Sequence, residues 1–170
     1  MAAGSTYVAI ASQTLASAAN SVSFTSISSG YTDLVLECNF ATTASNPSIS
    51  LGVNGDSGTN YSYTLLWGSG TAATSANASN RSSTNNVFAF YNAGAATGYS
   101  NIIVSNFQNY SNTTTYKTIL TKYGSASQET GATVSMWRNT AAINTITLTC
   151  QNTYTFASGS TFSLYGILAA

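Results

Sequence analysis

The chain has 170 residues, four basic and four acidic, for a net charge of zero, and it contains no histidine. With Asp33, Glu37, Asp56 and Glu129 as the only carboxylates and Cys38 and Cys150 as the only thiols, it is poorly supplied for a metal centre, an acid–base pair or a nucleophilic triad, so enzymatic activity is not expected. Four cations spread along the chain make no phosphate-tracking patch, which argues against nucleic acid as a partner.

Charged residues are 5% of the chain, against roughly 25% in ordinary soluble proteins. In their place stand 27 serines, 26 threonines and 17 asparagines, so the surface must be built of hydroxyls and amides. Apolar residues reach 44%, with 11 Tyr, 7 Phe and 2 Trp, which gives a compact fold rather than a disordered chain. The texture is uniform throughout, and residues 1–170 read as one domain.

From the N-terminus, residues 1–6 are small and polar, with no basic or apolar leader region, so synthesis in a cytoplasm and a docking arm at 1–6 are the expectations. A first strand is expected over 6–14 and a second at 22–24. In 34–40, Leu34, Leu36, Cys38 and Phe40 fall on one face, and in 49–53 Ile49, Leu51 and Val53 do the same. Asn54-Gly55-Asp56-Ser57-Gly58 is the strongest turn signal, because Asn-Gly accepts the positive φ values of tight turns; strands 48–54 and 60–67 are expected to pair across it as a hairpin. Tyr61, Tyr63, Leu65 and Trp67 then share a face, which reads as core packing in preference to an aromatic platform for sugar.

Residues 68–83 are small and polar with one charge, Arg81, and read as a long surface loop. Further strands are expected over 85–91, 101–108, 115–123, 133–138, 146–150 and 162–168, giving ten or eleven in all and no long helix. The longest apolar run, 87–91, is five residues, far short of the roughly 20 a membrane-spanning helix needs. The fold class expected is all-β, an antiparallel jelly-roll-like sandwich. Its edges lack the usual charged guards, so assembly into a closed cyclic oligomer is expected.

Cys38 and Cys150 lie on the apolar faces of their strands and read as buried reduced thiols. Five Asn-X-Ser/Thr sequons, at Asn60, Asn77, Asn80, Asn109 and Asn112, are no more than this composition produces by chance. Asp56 beside Asn54 has too few neighbouring carboxylates for calcium, so the segment reads as a turn. Asp33 and Glu37, four apart on one strand, sit about 13 Å apart, wider than the carboxylate pair of a glycosidase. Among the scarce charges Asp33, Glu37, Lys117, Lys122, Arg81 and Arg138, those at Asp33 and Arg138 border a buried run, which reads equally as a structural ion pair, a subunit contact or solvent display. No catalytic, cofactor-binding or metal-ligating residue is assigned, and no cofactor is expected.

Five segments taken together, YTDLVL at 31–36, NGDSGTNYSYT at 54–64, NYSNTTTYKT at 109–118, WRNTAAIN at 137–144 and GSTFSLYGI at 159–167, resemble a family of small all-β virion structural proteins of tailed phages, especially those of marine and cyanobacterial hosts. The resemblance runs from about residue 7 to the C-terminus. It implies a non-enzymatic component of a phage particle, of the capsid cement or decoration type, sitting on the capsid surface as a homotrimer and clamping the major capsid protein. It implies no nucleic-acid or membrane partner. The alternative role is a tail-fibre or receptor-binding protein recognising a host surface glycan, which would need Trp67 or Trp137 to face outward.

Overall fold

The structure, a computed structural model, describes residues 6–43, 48–82, 100–125, 129–151 and 153–168. It contains β1 (Tyr7–Thr14), β2 (Ser21–Phe24), β3 (Asp33–Phe40), β4 (Ile49–Val53), β5 (Tyr61–Gly68), β6 (Ala73–Arg81), β7 (Asn101–Phe107), β8 (Lys117–Ser125), β9 (Glu129–Trp137), β10 (Ile146–Cys150) and β11 (Thr161–Ile167). No helix occurs among the described residues. The all-β class is as expected, and the strands form two antiparallel sheets. The large one has the order β1-β11-β3-β7-β8-β9-β5-β6 and the small one the order β2-β10-β4. From β1 to β5 the chain enters the large and small sheets alternately, and β10 to β11 repeats the step.

Two expectations fail. The strands flanking Asn54-Gly55 do not pair with each other: β4 pairs with β10, whereas β5 pairs with β6 and β9. The turn itself forms as its residues dictate, with Asn54 at φ 53° and Gly55 at φ 64°. Its side chains then commit the chain to crossing between sheets. Asn54 donates through Nδ2 to the Ala142 carbonyl (2.8 Å), and its Oδ1 accepts from the amides of Asn144 (2.8 Å) and Thr145 (3.1 Å) at the entrance to β10. The second failure is the expected loop at 68–83, most of which is strand β6, paired with β5. Nearly every β6 residue is exposed on whichever face it points to, so no apolar alternation marks the strand. The expected strand at 85–91 lies outside the described residues, as does the arm at 1–6 apart from Thr6, whose carbonyl accepts from the Leu168 amide.

One hydrophobic cluster joins the sheets. Val22, Phe24, Ile49, Leu51, Val53, Ile146 and Leu148 descend from the small sheet onto Leu34, Leu36, Phe40, Ile103, Phe162 and Leu164 of the large one. At one end Phe40, Phe156 and Phe162 pack as a triad, with Phe156 edge-on to both partners at 5.4 and 5.0 Å between ring centres. At the other end Gly166 has no side chain because the ring of Tyr31 lies against its backbone; a Cβ there would come within 2.3 Å of that ring. Cys38 and Cys150 are free and buried, as expected.

Candidate functional site

The charged residues are placed first by what holds them. Asp33 Oδ1 accepts from the Asn109 amide (2.6 Å), which fixes the turn leading from β7 to β8. Asp56, in the crossing between β4 and β5, accepts from Gly58 N (2.7 Å), Asn60 Nδ2 (2.8 Å) and Trp137 Nε1 (2.7 Å). Partial burial pushes its carboxyl up, but these three donors outweigh that and hold it below the usual carboxylate range. The Tyr61 hydroxyl, wholly buried beneath the same turn, donates to the Val53 and Asp56 carbonyls and is pushed up to about 12, chiefly by burial. Arg138 closes the unit from outside, donating through Nη2 to the Thr59 carbonyl (2.6 Å) and to Asn80 Oδ1 (2.8 Å). This constellation is a structural lock between the sheets, in which every polar atom named is occupied by another part of the chain.

Two charged residues point inward. Lys117 is 1% exposed, and its ammonium donates to the carbonyls of Thr115 (2.9 Å) and Thr140 (3.1 Å); burial lowers its proton affinity. Glu129 lies in register with Ser125 at the opposite end of β8 and β9, and burial raises its carboxyl above the ordinary value. Glu129 Oε1, Asn101 Oδ1 and Thr133 Oγ1 are buried polar atoms with no hydrogen-bond partner. Between the two ends runs a polar inner row, in which the Ser105 and Thr121 hydroxyls bond at 2.8 Å. No group of three or more His, Cys, Asp or Glu side chains able to hold a metal occurs among the described residues.

The aromatic platform is absent from the surface. Trp137 is 1% exposed and Tyr61 is fully buried, while Trp67 packs against the core. The tryptophans therefore serve packing, in line with the reading of the shared face on β5.

What remains is surface. The outward side of the small sheet carries Ser21, Ser23, Thr147 and Thr149, with Ser50 tucked under Gln151, whose Nε2 donates to its hydroxyl at 2.5 Å. Ser50, Gly52, Gly55, Thr147, Thr149 and Gln151 line a groove of 280 Å³ there. The outward side of the large sheet is different in kind. Ile102 and Val104 on β7, Leu120 on β8, Ala132 and Val134 on β9 and Leu66 on β5 all lie on it, with Leu66 59%, Ile102 54% and Val134 50% exposed. Antiparallel sheets with one solvated side normally put polar residues there. The only outward charges of the large sheet's central strands, β3 and β7 to β9, besides the engaged Asp33, are Glu37 on β3 and Lys122 on β8; both are exposed, and they face Val104 from either side in one cross-strand row.

Sequence reasoning missed this aliphatic face, although a signal was present. Ile102-Ile103-Val104 and Leu34-Val35-Leu36 are unbroken apolar triplets rather than alternating ones, the pattern of strands covered on both sides. The second missed surface is β6, the last strand of the large sheet among the described residues, nine residues long with its only charge at Arg81. No known family model matches the chain, and no curated protein matches it.

Proposed function

We propose that the protein is a structural component of a tailed-phage particle, a capsid cement or decoration protein without enzymatic activity. It binds the major capsid protein on the capsid exterior, works as an oligomer, and uses no cofactor. The observation that carries this reading is β6, the last strand of the large sheet among the described residues. Seven of its nine residues are exposed, and it contains no proline and no charge before its last residue. On a freely dissolved protein such an edge invites uncontrolled pairing, and natural edges are guarded against it; on a permanently assembled protein it is a docking strip. A neutral surface with 5% charged residues supports the same conclusion, since net charge keeps dissolved proteins apart. The resemblance of five segments to phage particle proteins is what points the reading to a phage particle as the assembly.

The architecture belongs to this proposal as a jelly-roll-like sandwich. Facing orders of β1-β11-β3-β7 and β2-β10-β4 support it: they are what a long hairpin makes when it rolls up so that its strands enter opposite sheets in turn. The pair β8-β9 and the pair β5-β6 extend the large sheet beyond that frame.

Mechanistically, cementing works through area and avidity. Each subunit contributes a modest contact, and linked subunits rebind before they can diffuse away. Cryo-electron microscopy of purified particles from the encoding source tests the reading. Density for this chain on the capsid exterior, bridging neighbouring capsid subunits, is the expected result; its location on the tail alone, or its absence from the particle, overturns it.

A further inference from the structure

We infer that the outward face of the large sheet is an interface for a second copy of this chain, joined face to face about a two-fold axis that runs along β7 over Val104. Area is the first support. With about 4.8 Å between strands and about 6.8 Å between same-face neighbours, the outward residues of the five strands from β11 to β9, which such an axis lays on one another, cover roughly 600 Å². Stable interfaces take roughly 600–1,000 Å² from each partner, so the face reaches the lower end of that range.

Charge complementarity is the second support, and it selects the occupant. Glu37 and Lys122 sit one strand to either side of Val104 in a single row. Rotation by 180° about an axis over Val104 sets each Lys122 against Glu37 of the second copy and Val104 against itself. The same rotation acts on the next row, where Tyr165, Val35, Asn106, Leu120 and Val134 are consecutive partners. It lays Val134 over Tyr165 and Asn106 over itself, while in the first row Ala132 falls over Ser163. An aliphatic side chain meets an aromatic ring and each charge meets its opposite, so the two rows complement themselves. Axes along the neighbouring strands lose this match, because one along β3 sets Glu37 against Glu37 and one along β8 sets Lys122 against Lys122. The pairing is independent of the particle reading and makes the number of subunits even, in contrast to the three-fold arrangement the resemblance implies.

Sedimentation equilibrium of the full chain at micromolar concentration tests the pairing. The expected mass is twice 17.6 kDa or an even multiple of it. Val134→Asp weakens association about tenfold or more, and Lys122→Glu weakens it too, whereas Lys122→Glu combined with Glu37→Lys restores it. A monomer or a trimer overturns the inference. So does a dimer that tolerates Val134→Asp but is broken by Ala76→Pro, which places the contact at the β6 edge instead. Should Val134→Asp fail to fold, zero-length carbodiimide coupling of the unaltered chain decides: a covalent dimer containing a Lys122–Glu37 cross-linked peptide supports the interface, and its absence overturns it.

Discussion

The two sheets share one core but present opposite chemistry to the outside. In β10, threonines 147 and 149 point outward between the inward Ile146, Leu148 and Cys150, and the Thr147 hydroxyl meets that of Ser23 on β2 at 2.9 Å. In β7 and β9 the outward positions Ile102, Val104, Ala132 and Val134 are apolar, beside Asn106, Thr130 and Met136. With so few charges in the chain, the placing of aliphatic side chains among hydroxyls and amides decides how readily water wets each face. The lesson is that a nearly uncharged protein still sets its two outer faces apart, by leaving aliphatic side chains on one of them.

The strongest test of that contrast is the inward side, which both sheets need equally. Leu148→Ala, at a position 1% exposed, is expected to cost about 2–5 kcal/mol in urea unfolding, through lost burial and the cavity left behind. A loss below 1 kcal/mol would mean that the small sheet is a loose cover. Next is the lock that carries the chain from one sheet to the other. Trp137→Phe keeps an aromatic six-membered ring but removes the N–H donor to Asp56 together with part of a buried indole; the lost hydrogen bond to a charged group alone is expected to cost about 1.5–3 kcal/mol.

The pH dependence sharpens the contrast further. Asp56 is held below its unfolded value, so its contribution is present above about pH 4 and is lost as pH falls through the lower, folded value. Glu129 is raised, so it acts in the opposite sense: its favourable contribution is complete below about pH 4 and disappears as pH rises through its folded value. Glu129→Gln is therefore expected to raise the melting temperature at pH 7 and leave it unchanged at pH 3, whereas Asp56→Asn lowers it at pH 7. Equal shifts at both pH values would remove the titration argument.

The smallest effect belongs to the wet face. Thr149→Ala, pointing outward on the same strand as Leu148, is expected to change stability by less than about 0.5 kcal/mol. A cost comparable to that of Leu148→Ala would show that the small sheet's outer side is also a covered surface.

Much of this architecture was legible from period and turn chemistry. Strands β3, β4 and β10 announce themselves because one side of each is apolar, and Asn54-Gly55 announces its turn. The partner of β4 was not legible: it depends on Asn54 reaching Ala142, Asn144 and Thr145, nearly ninety residues on, and no local rule carries that distance. Strand β6 was invisible because neither of its sides is buried; β-pairing with β5 shapes it, with Arg138 holding Asn80 near its end. The aliphatic outward face is written in the triplets Ile102-Ile103-Val104 and Leu34-Val35-Leu36, where a second apolar register lies over the alternating one and hides behind it.

The buried thiols have a consequence for durability. Burial pushes the Cys150 thiol up to about 12 and the Cys38 thiol beyond the ordinary range, with the nearby Glu37 charge adding to the latter. Thiolate is the form that oxidants and disulfides attack, and neither residue forms it at neutral pH. The folded molecule can therefore pass between reducing and oxidising surroundings with both thiols unaltered, and their exposure on unfolding is what opens them to that chemistry.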